Sequence, residues 1–595
     1  MSESEQSETK PWMKLLPFMN WLGEAKNPTT IRADLIAGIT VALVLIPQSM
    51  AYAQLAGLPP YYGLYISFMP VIIAALWGSS KQLATGPVAV VSLLTASAII
   101  PLVGDPGAMT EAQMISIYAP LAILLAFLVG TFQLFLGVFK LGVIVNFLSH
   151  PVIVGFTNAA AMIIGLSQLN KIFGVSKERS ESFVNDIWGV IQQVPDHTHI
   201  PTFLFGASAI LILWGFKKYL PKIPGVLVAV AGTIVVSWMV GYEAMRPGAV
   251  VGTIPEGLPS FTMPTFDLDM MGTLITSAIV ISLVGFMEAI SIAKAMAAKT
   301  KDRIDPNQEL IGQGLGNITG SFFQSYPASG SFSRSAVNLG AGAKTGMSSV
   351  FTGVIVVITL LFLTPLLYHL PKAVLAAVII MAVIGLINFK AVIHAWHASK
   401  HDGIASIVTF VATLGFAPHL DKGIMVGAGL AILLYLYRTI SPRVAQLGRF
   451  EDGTLRDLRV YPELPTDERI ILIRFDGSLY FANVAYFEDT ILAAVADKPS
   501  ARYVLVVGDG INEMDASGEE VLRHLIERLR GNGIFMVVSG LKRQVLDVMR
   551  HTGLYEILGS GNIYATEDQA LSAIYDQINP YGDEGNFCPL MPEKA

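Results

Sequence analysis

The chain has 595 residues, of which 53% are hydrophobic and only 14% charged, with a formal net charge of −6. A soluble globular domain carries about 25% charged residues, so the composition excludes a wholly soluble protein and predicts a membrane one. The single cysteine, Cys588, excludes an internal disulfide framework and any Cys-rich metal site.

Residues 1–30 are polar with an amphipathic patch (Trp12, Leu15, Leu16, Phe18, Met19, Trp21, Leu22), which lies on a membrane surface or packs on the protein. The first apolar run, from Leu35, does not read as a signal peptide. The 32 residues before and into it are long and mixed in charge, and no small-residue cleavage pattern follows. Apolar segments recur at about 35–55, 60–78, 87–101, 117–138, 143–169, 201–218, 223–241, 270–296, 307–325, 331–343, 347–369, 371–388, 403–419 and 422–438, roughly fourteen in all. A spanning helix needs about 17–25 residues, so the third and tenth are too short to cross as helix alone.

Basic residues set the orientation. Lys81, Lys140, Lys217, Lys218, Lys222, the run 294–303, Lys344, Lys390, Lys400, Arg438 and Arg443 all fall on the side shared with both termini. Loops on the other side, such as 102–116 with Asp105 and Glu111, are poor in Lys and Arg. The loop at 171–179 is the exception, and there Glu178, Glu181 and Asp186 accompany the bases. The positive-inside rule therefore predicts both termini in the cytoplasm, and the expected location is the inner (cell) membrane as a multi-pass protein.

The two halves match in spacing. Each opens with a long segment, from Leu35 or from Met270, continues with a second span and interrupts the third. Seven spans per half make the second half enter from the opposite side, an inverted repeat. After Arg443 the character changes: 451–469 is polar and contains prolines, as a linker would. Strand-like and helix-like runs then alternate at 470–475, 484–497, 503–507, 517–532, 534–539, 541–552 and 563–565, the pattern of a small α/β domain. The predicted organisation is a cytoplasmic segment 1–30, a transmembrane domain 31–441, a linker 442–469, an α/β domain 470–575 and a tail 576–595.

Chemistry concentrates at the two interruptions, Leu83-Ala84-Thr85-Gly86-Pro87-Val88-Ala89-Val90-Val91-Ser92 and Ser325-Tyr326-Pro327-Ala328-Ser329-Gly330-Ser331-Phe332-Ser333-Arg334-Ser335-Ala336-Val337. Paired breaks at corresponding places in two halves point to a substrate site. A helix N-terminus exposes unpaired N–H groups and about half a positive charge, which suits an anion. The first restart offers the N–H groups of Val88, Ala89 and Val90; the second offers those of residues 331–334 with the hydroxyls of Ser331 and Ser333. The plainer reading is a pair of Pro/Gly kinks in packed helices.

Arg334 is costly at membrane depth, by about 2.5–3.5 kcal/mol on insertion scales. It either attracts a substrate or locks two helices in an ion pair. Glu288 is the one acid within its apolar span and the natural counter-charge. A carboxyl placed between burial and a nearby arginine can take up and release a proton during transport; a fixed salt bridge or packing role is the alternative. On the first span, Pro47 opens the helix locally, and Gln48 and Tyr52 share one face, as neutral donors to a ligand or as helix–helix hydrogen bonds. Gly312, Gly314, Gly316 and Gly320 read as close helix packing rather than a phosphate cradle. His394 and His397, on a cytoplasmic-looking loop, read as polar surface. No G-x-x-x-x-G-K-[ST] sequence occurs, which argues against ATP-driven transport by this chain.

These residues resemble the SulP sulfate-permease family, which includes the animal anion exchangers and prestin, over about residues 30–570. The resemblance is carried by Pro47-Gln48-Ser49-Met50-Ala51-Tyr52-Ala53, Pro59-Pro60-Tyr61-Tyr62-Gly63-Leu64-Tyr65, Gly86-Pro87-Val88-Ala89-Val90, Asn307-Gln308-Glu309-Leu310 and Gly330-Ser331-Phe332-Ser333-Arg334-Ser335, in that order. It implies about fourteen helices in a seven-plus-seven inverted repeat, divided into core and gate domains, with elevator-like motion and a homodimeric state. The implied anion site comprises Gln48, Tyr52, Val88, Ala89, Ser331, Ser333 and Arg334. Glu288 matches the eighth-helix acid of the family's proton-coupled members, whereas a sodium-coupled bicarbonate branch typically places an aspartate there. The segment Met287-Glu288-Ala289-Ile290-Ser291-Ile292-Ala293-Lys294 looks most like the sulfate-transporting branches, which implies sulfate with proton symport.

The soluble domain is similar to a STAS domain, also found in anti-sigma-factor antagonists. There a phosphoacceptor hydroxyl directly follows an aspartate; here Ala516 follows Asp515, so kinase-type switching is not expected. Ser517 is the expected helix N-cap, with Glu520 completing a capping box, and the domain's expected roles are folding and binding a cytosolic protein partner. The chain thus reads as a transporter rather than an enzyme, with membrane lipid and a small inorganic anion as partners, and no cofactor, metal or nucleic acid. Bicarbonate or dicarboxylate transport is the alternative within the family. A membrane anion sensor or scaffold that moves nothing is the alternative outside it.

Overall fold

The computed structural model describes residues 16–104, 109–143, 149–176, 183–220, 223–580 and 588–591. Trp12 and Leu15 of the amphipathic patch, Asp105, Glu178, Arg179, Glu181 and Lys222 of the charge pattern, and parts of the segments 143–169 and 576–595 lie outside the described residues. The chain forms two compact units, Met1–Ala431 and Ile432–Ala595.

The first unit is helical. Its main helices are α1 (Pro28–Leu55), α2 (Met69–Trp77), α3 (Ala89–Val103), α4 (Ala119–Val138), α5 (His150–Ser167), α6 (Phe183–His197), α7 (Ile200–Tyr219) and α8 (Gly225–Met239). The second half supplies α9 (Leu268–Thr300), α10 (Pro306–Ser321), α11 (Phe332–Gly340), α12 (Met347–Ile358), α13 (Lys372–Ile384), α14 (Phe389–Ala398), α15 (Lys400–Phe416) and α16 (Leu420–Ile440). Eight stretches are long and apolar enough to span a membrane and three more are shorter; with α10, α11 and α15 they make fourteen among the described residues. Helix starts are written locally. Asn27 accepts a hydrogen bond from Thr29 N at 3.0 Å ahead of α1, and Pro28 occupies the first position, where its missing N–H costs nothing. Asp305 and Pro306 repeat the device at α10.

The helices sort into two bundles, each drawing on both halves of the chain. In the first, α10 packs along α4 and α2, α12 along α1 and α2, α9 along α4, and α11 along α1. In the second, α15 packs on α5, α7 on α13 and α8, and α14 on α15. They meet where α13 and α8 touch α1 and where α5 touches α3. The α10 glycines allow the close approach: a Cβ on Gly314 would lie 2.6 Å from Leu134 N, and one on Gly312 2.5 Å from Gly78 N. Buried carboxylates tie loops down. Asp34, fully buried on α1, accepts from Lys344 N (2.7 Å), Thr345 N (3.1 Å) and Thr345 Oγ1 (2.6 Å). Glu309 on α10 accepts from Ser79 N (2.9 Å) and Ser80 N (3.1 Å), just after α2.

Several expectations need correction. The segment 60–78 is two helices, Tyr62–Tyr65 and α2, because Pro70 has no N–H to bond the preceding turn. His394 and His397 lie on α14, not a loop; Asn388 caps that helix through Ala391 N at 3.1 Å. Helix α6 was not expected at all, since its apolar residues form a single stripe, with Ile187 and Val190 buried. Of the two readings of the N-terminal patch, packing on the protein holds for its described part. In the short helix Met19–Ala25, Trp21 is buried against Gly346.

The first unit also holds two short strands, β1 (Thr85–Gly86) and β2 (Ser329–Gly330). The strands of the second unit are β3 (Arg443–Arg449), β4 (Leu455–Asp457), β5 (Ile470–Asp476), β6 (Tyr503–Val507), β7 (Phe535–Ser539) and β8 (Ile563–Tyr564). They form one six-stranded sheet in the order β4-β3-β5-β6-β7-β8, with helices between the parallel strands. Strand β3 runs antiparallel to β4 and β5, while β5 to β8 are parallel. The predicted linker 442–469 is therefore corrected: it carries two strands of the sheet. The polar, proline-containing residues 451–469 read as a linker, yet just before them Val444, Ala445 and Leu447 are buried in the sheet. The tail 576–595 is also partly structural, because Cys588 and Leu590 join the apolar cluster around Leu447 and Leu505. The helix Ala516–Gly531 is capped by Asp515, which accepts from Gly518 N at 2.8 Å, so Ser517 lies inside the first turn and the expected capping box is absent.

Candidate functional site

The two interruptions meet. Residues Thr85–Gly86 form strand β1 and Ser329–Gly330 form β2, paired antiparallel with Thr85 opposite Gly330 and Gly86 opposite Ser329. Each strand leads within three residues into a half-helix, α3 or α11, so both N-termini arise from one small ladder. Val88 is the extended cap residue of α3 and accepts from Ser92 N at 2.9 Å. The N–H groups of the first turn, from Ala89 onward, have no helical acceptor. In the second break Ser331 caps α11 in extended geometry and its carbonyl accepts from Ser335 N at 3.0 Å.

One expected donor is spent. The Ser331 N–H donates to Ala84 O at 3.0 Å, an extension of the β1–β2 ladder, so only the N–H groups that follow it remain for a ligand. Ser335 Oγ answers on the other side by accepting from Ala84 N at 2.9 Å. Asn317 of α10 supports the ladder, accepting from Ala328 N at 2.7 Å and donating to Ala328 O at 3.1 Å and to Gln133 at 3.0 Å.

Arg334 lies in the first turn of α11 and is fully buried. Its Nη1 donates to Gln48 Oε1 at 3.3 Å, and Gln48 Nε2 donates to the Tyr52 hydroxyl at 3.0 Å. The helical i, i+4 spacing on α1 thus puts both polar side chains at the site, each 5% exposed. Nε and Nη2 of Arg334 are buried and have no protein partner. The guanidinium crosses to the first break: a Cβ on Gly86 would lie 3.3 Å from Nη2, and Gly86 holds φ +144°, a backbone state that favours glycine. Ser331 and Ser333 hydroxyls lie 3.4 Å apart at the α11 start, the first buried and the second exposed.

Glu288 is half-buried on α9, on the turn that clamps β2. Gly285 O of that turn accepts from Ser329 Oγ at 2.7 Å, and Ala289 is packed against Gly330. Glu288 lies within electrostatic reach of Arg334 and Tyr52 but makes no ion pair with Arg334; Gln48 holds the guanidinium instead. The structure also brings in Tyr326 and Ser92, which the sequence reading passed over. Their hydroxyls are 3.3 Å apart, both residues are fully buried, and Tyr326 interacts electrostatically with Arg334 and Tyr52. A phenol inside a Pro/Ser/Gly break, facing a serine in a restarted helix, was the available signal.

The local field is positive. One buried guanidinium and two helix N-termini, each worth about half a charge, face a single carboxylate. Small side chains at Ala89 and Ser331 leave the backbone approachable. Such an arrangement suits a small oxyanion held through charge-assisted hydrogen bonds. A cavity of about 1130 Å³ begins one turn further along α1 and α3, at Gln54, Leu55, Leu93 and Ser97, and extends to Lys171 and Lys372; it does not reach Arg334.

Both the sequence and the fold have counterparts among known proteins. The sequence model of the sulfate permease family matches residues 31–409, and that of the STAS domain matches residues 461–570. The chain is 36% identical over 587 residues to a probable sulfate transporter 4.2 of Arabidopsis thaliana, covering 95% of this chain and 84% of that protein. It is 37% identical over 561 residues to the chloroplastic sulfate transporter 4.1 of the same plant, covering 92% and 80%. Among solved structures, the murine solute carrier 26 family member A9 anion transporter in its inward-facing state matches with TM-score 0.87 and 25% identity over 97% of each chain. The transmembrane domain of a cyanobacterium bicarbonate transporter, BicA, matches with TM-score 0.57 over 68% of this chain and 98% of that one; at 20% identity the likeness concerns the fold alone.

Proposed function

The chain belongs to the sulfate permease family, and from that premise we propose that it is a secondary active transporter of a small oxyanion, sulfate, driven by proton symport. The observation that carries this reading is Arg334: fully buried, held at one nitrogen by Gln48, with Nε and Nη2 unpartnered where two half-helices begin. We assign the anion to Gln48, Tyr52, Val88, Ala89, Ser331, Ser333 and Arg334. The curated relatives above are named sulfate transporters, which favours sulfate over bicarbonate or a dicarboxylate.

Glu288 is assigned the coupling proton. A deprotonated carboxylate beside the site repels a dianion, and protonation removes that repulsion, so anion and proton travel together. All the assigned residues belong to α1, the two breaks with their half-helices, and α9, which pack in one bundle. That bundle sliding as a body past the other is an elevator-like alternating access, which we propose here. We further place the protein in the inner membrane as a homodimer, with cytoplasmic termini and a STAS domain that meets a cytosolic protein partner.

The test is uptake into proteoliposomes of labelled sulfate, bicarbonate and dicarboxylates under imposed pH or sodium gradients. Sulfate uptake driven by an inward proton gradient is expected. Flux of no anion under any gradient overturns the transporter reading in favour of a sensor or scaffold. Sodium-driven bicarbonate flux without sulfate overturns both substrate and coupling ion.

A further inference from the structure

We propose that Tyr326 and Ser92 form a positioning pair for the anion, setting the spacing of the two half-helix starts and presenting one further hydroxyl donor beside Arg334. The proposal rests on the oxyanion-site reading above and adds two residues to it.

Tyr326 enters the second break, and Ser92 lies in the first turn of α3, beyond the first break. Both are fully buried, and their hydroxyls are 3.3 Å apart, so one side-chain hydrogen bond joins the two halves of the repeat next to the β1–β2 ladder. The backbone around Tyr326 is anchored independently: Ser325 Oγ donates to Tyr65 O at 3.1 Å, and Ala328 N donates to Asn317 Oδ1 at 2.7 Å. The ring is therefore aimed, not merely accommodated.

Proton counting gives the pair its role. Two hydroxyls carry two O–H donors, and the bond between them uses one. Among the described residues neither hydroxyl has a second hydrogen-bond partner, and a buried donor needs an acceptor. Arg334, the charged neighbour of Tyr326, has only donors. The Tyr52 hydroxyl, its other polar neighbour, already accepts from Gln48 Nε2, and an oxyanion at the two half-helix starts would supply the acceptor that the pair lacks. A phenol suits this position because it brings a donor without a negative charge; a carboxylate there would close on Nε and Nη2 of Arg334 and hold them away from substrate.

The experiment compares the full chain with Tyr326→Phe, Ser92→Ala, the double variant and Ser92→Thr, by initial rates of sulfate uptake in proteoliposomes at matched incorporation. Each single removal is expected to raise the KM for sulfate about three- to tenfold, the worth of one neutral hydrogen bond, with the maximal rate nearly unchanged. The double variant should be no weaker than the worse single variant, because both remove the same bond, and Ser92→Thr should restore KM. Unchanged KM in both single variants, effects that multiply in the double variant, or a fall in maximal rate at constant KM each overturn the pair's role. If the unmutated protein binds sulfate without moving it, the transport reading fails separately, and the same comparison read as calorimetric sulfate affinity decides for or against the pair.

Discussion

Replacing Arg334 by glutamine is predicted to make the anion-free protein more stable while abolishing its response to sulfate. Arg334 is fully buried, and two of its three guanidinium nitrogens have no protein partner. A buried polar group left unpaired costs about 1–3 kcal/mol, more when charged, so the native side chain carries a penalty of roughly 2–6 kcal/mol. No ion pair is orphaned by the change, because the guanidinium rests on the neutral Gln48 amide. A neutral glutamine removes the charged part of that penalty and leaves one amide to satisfy, so the anion-free variant should melt above the unmutated protein. The order reverses with ligand. A ligand that binds only the folded state stabilises by about 2.7 kcal/mol at a hundred times its dissociation constant, a gain available only with Arg334 in place. The assay is thermal unfolding in detergent, followed by tryptophan fluorescence, with sulfate against gluconate at equal ionic strength. A variant that melts lower without anion, or one that keeps the sulfate shift, refutes the reasoning.

Glu288→Gln should abolish proton-driven uptake but leave sulfate-for-sulfate exchange, since the amide keeps the shape and stays neutral throughout the cycle; loss of both activities in folded protein would instead give Glu288 a binding or packing role. Asp34→Ala should cost at least about 3 kcal/mol, because three donors from residues 344 and 345 lose their shared acceptor. Size-exclusion profiles of detergent extracts should then show mostly aggregated protein, with Asp34→Asn intermediate. In the STAS domain, burial alone pushes the Asp467 carboxyl up, but hydrogen bonds from the Arg469 side chain and N–H outweigh it and hold the value below the usual range. The folded value being the lower one, this stabilisation is complete above the unfolded aspartate value, about 3.9, and is lost as pH falls through the folded value. Hydrogen exchange along β5 should accelerate only below about pH 4, and Arg469→Met should move that onset to higher pH.

The parts of the fold visible in the sequence are those that one continuous stretch determines. Spans follow from apolar length, helix starts from pairs such as Asn27-Pro28 and Asp305-Pro306, and the two breaks from Gly86-Pro87 and the Pro/Ser/Gly run after Tyr326. What escapes depends on partners distant along the chain. The α6 helix and strand β3 each bury only part of their residues, so neither shows a spanning run or a clean alternation, and both read as polar connections. Charge suggested that Glu288 would hold Arg334, yet Gln48, 286 residues away, does so; complementarity of sign names a candidate, and packing selects the partner. The ladder is the clearest case. Counting exposed N–H groups at a helix start assigns Ser331 to the ligand, whereas the β1–β2 register gives its N–H to Ala84. A slip of one residue would exchange the faces of every paired side chain. Two glycines prevent it: Gly330 packs where a Cβ would lie 2.9 Å from both Ala289 and Leu83, and Gly86 lies against the Arg334 guanidinium. The register that assembles the candidate anion site is therefore written in two positions where a side chain would be crowded or strained, a signal that becomes readable only once both breaks are known to face one another.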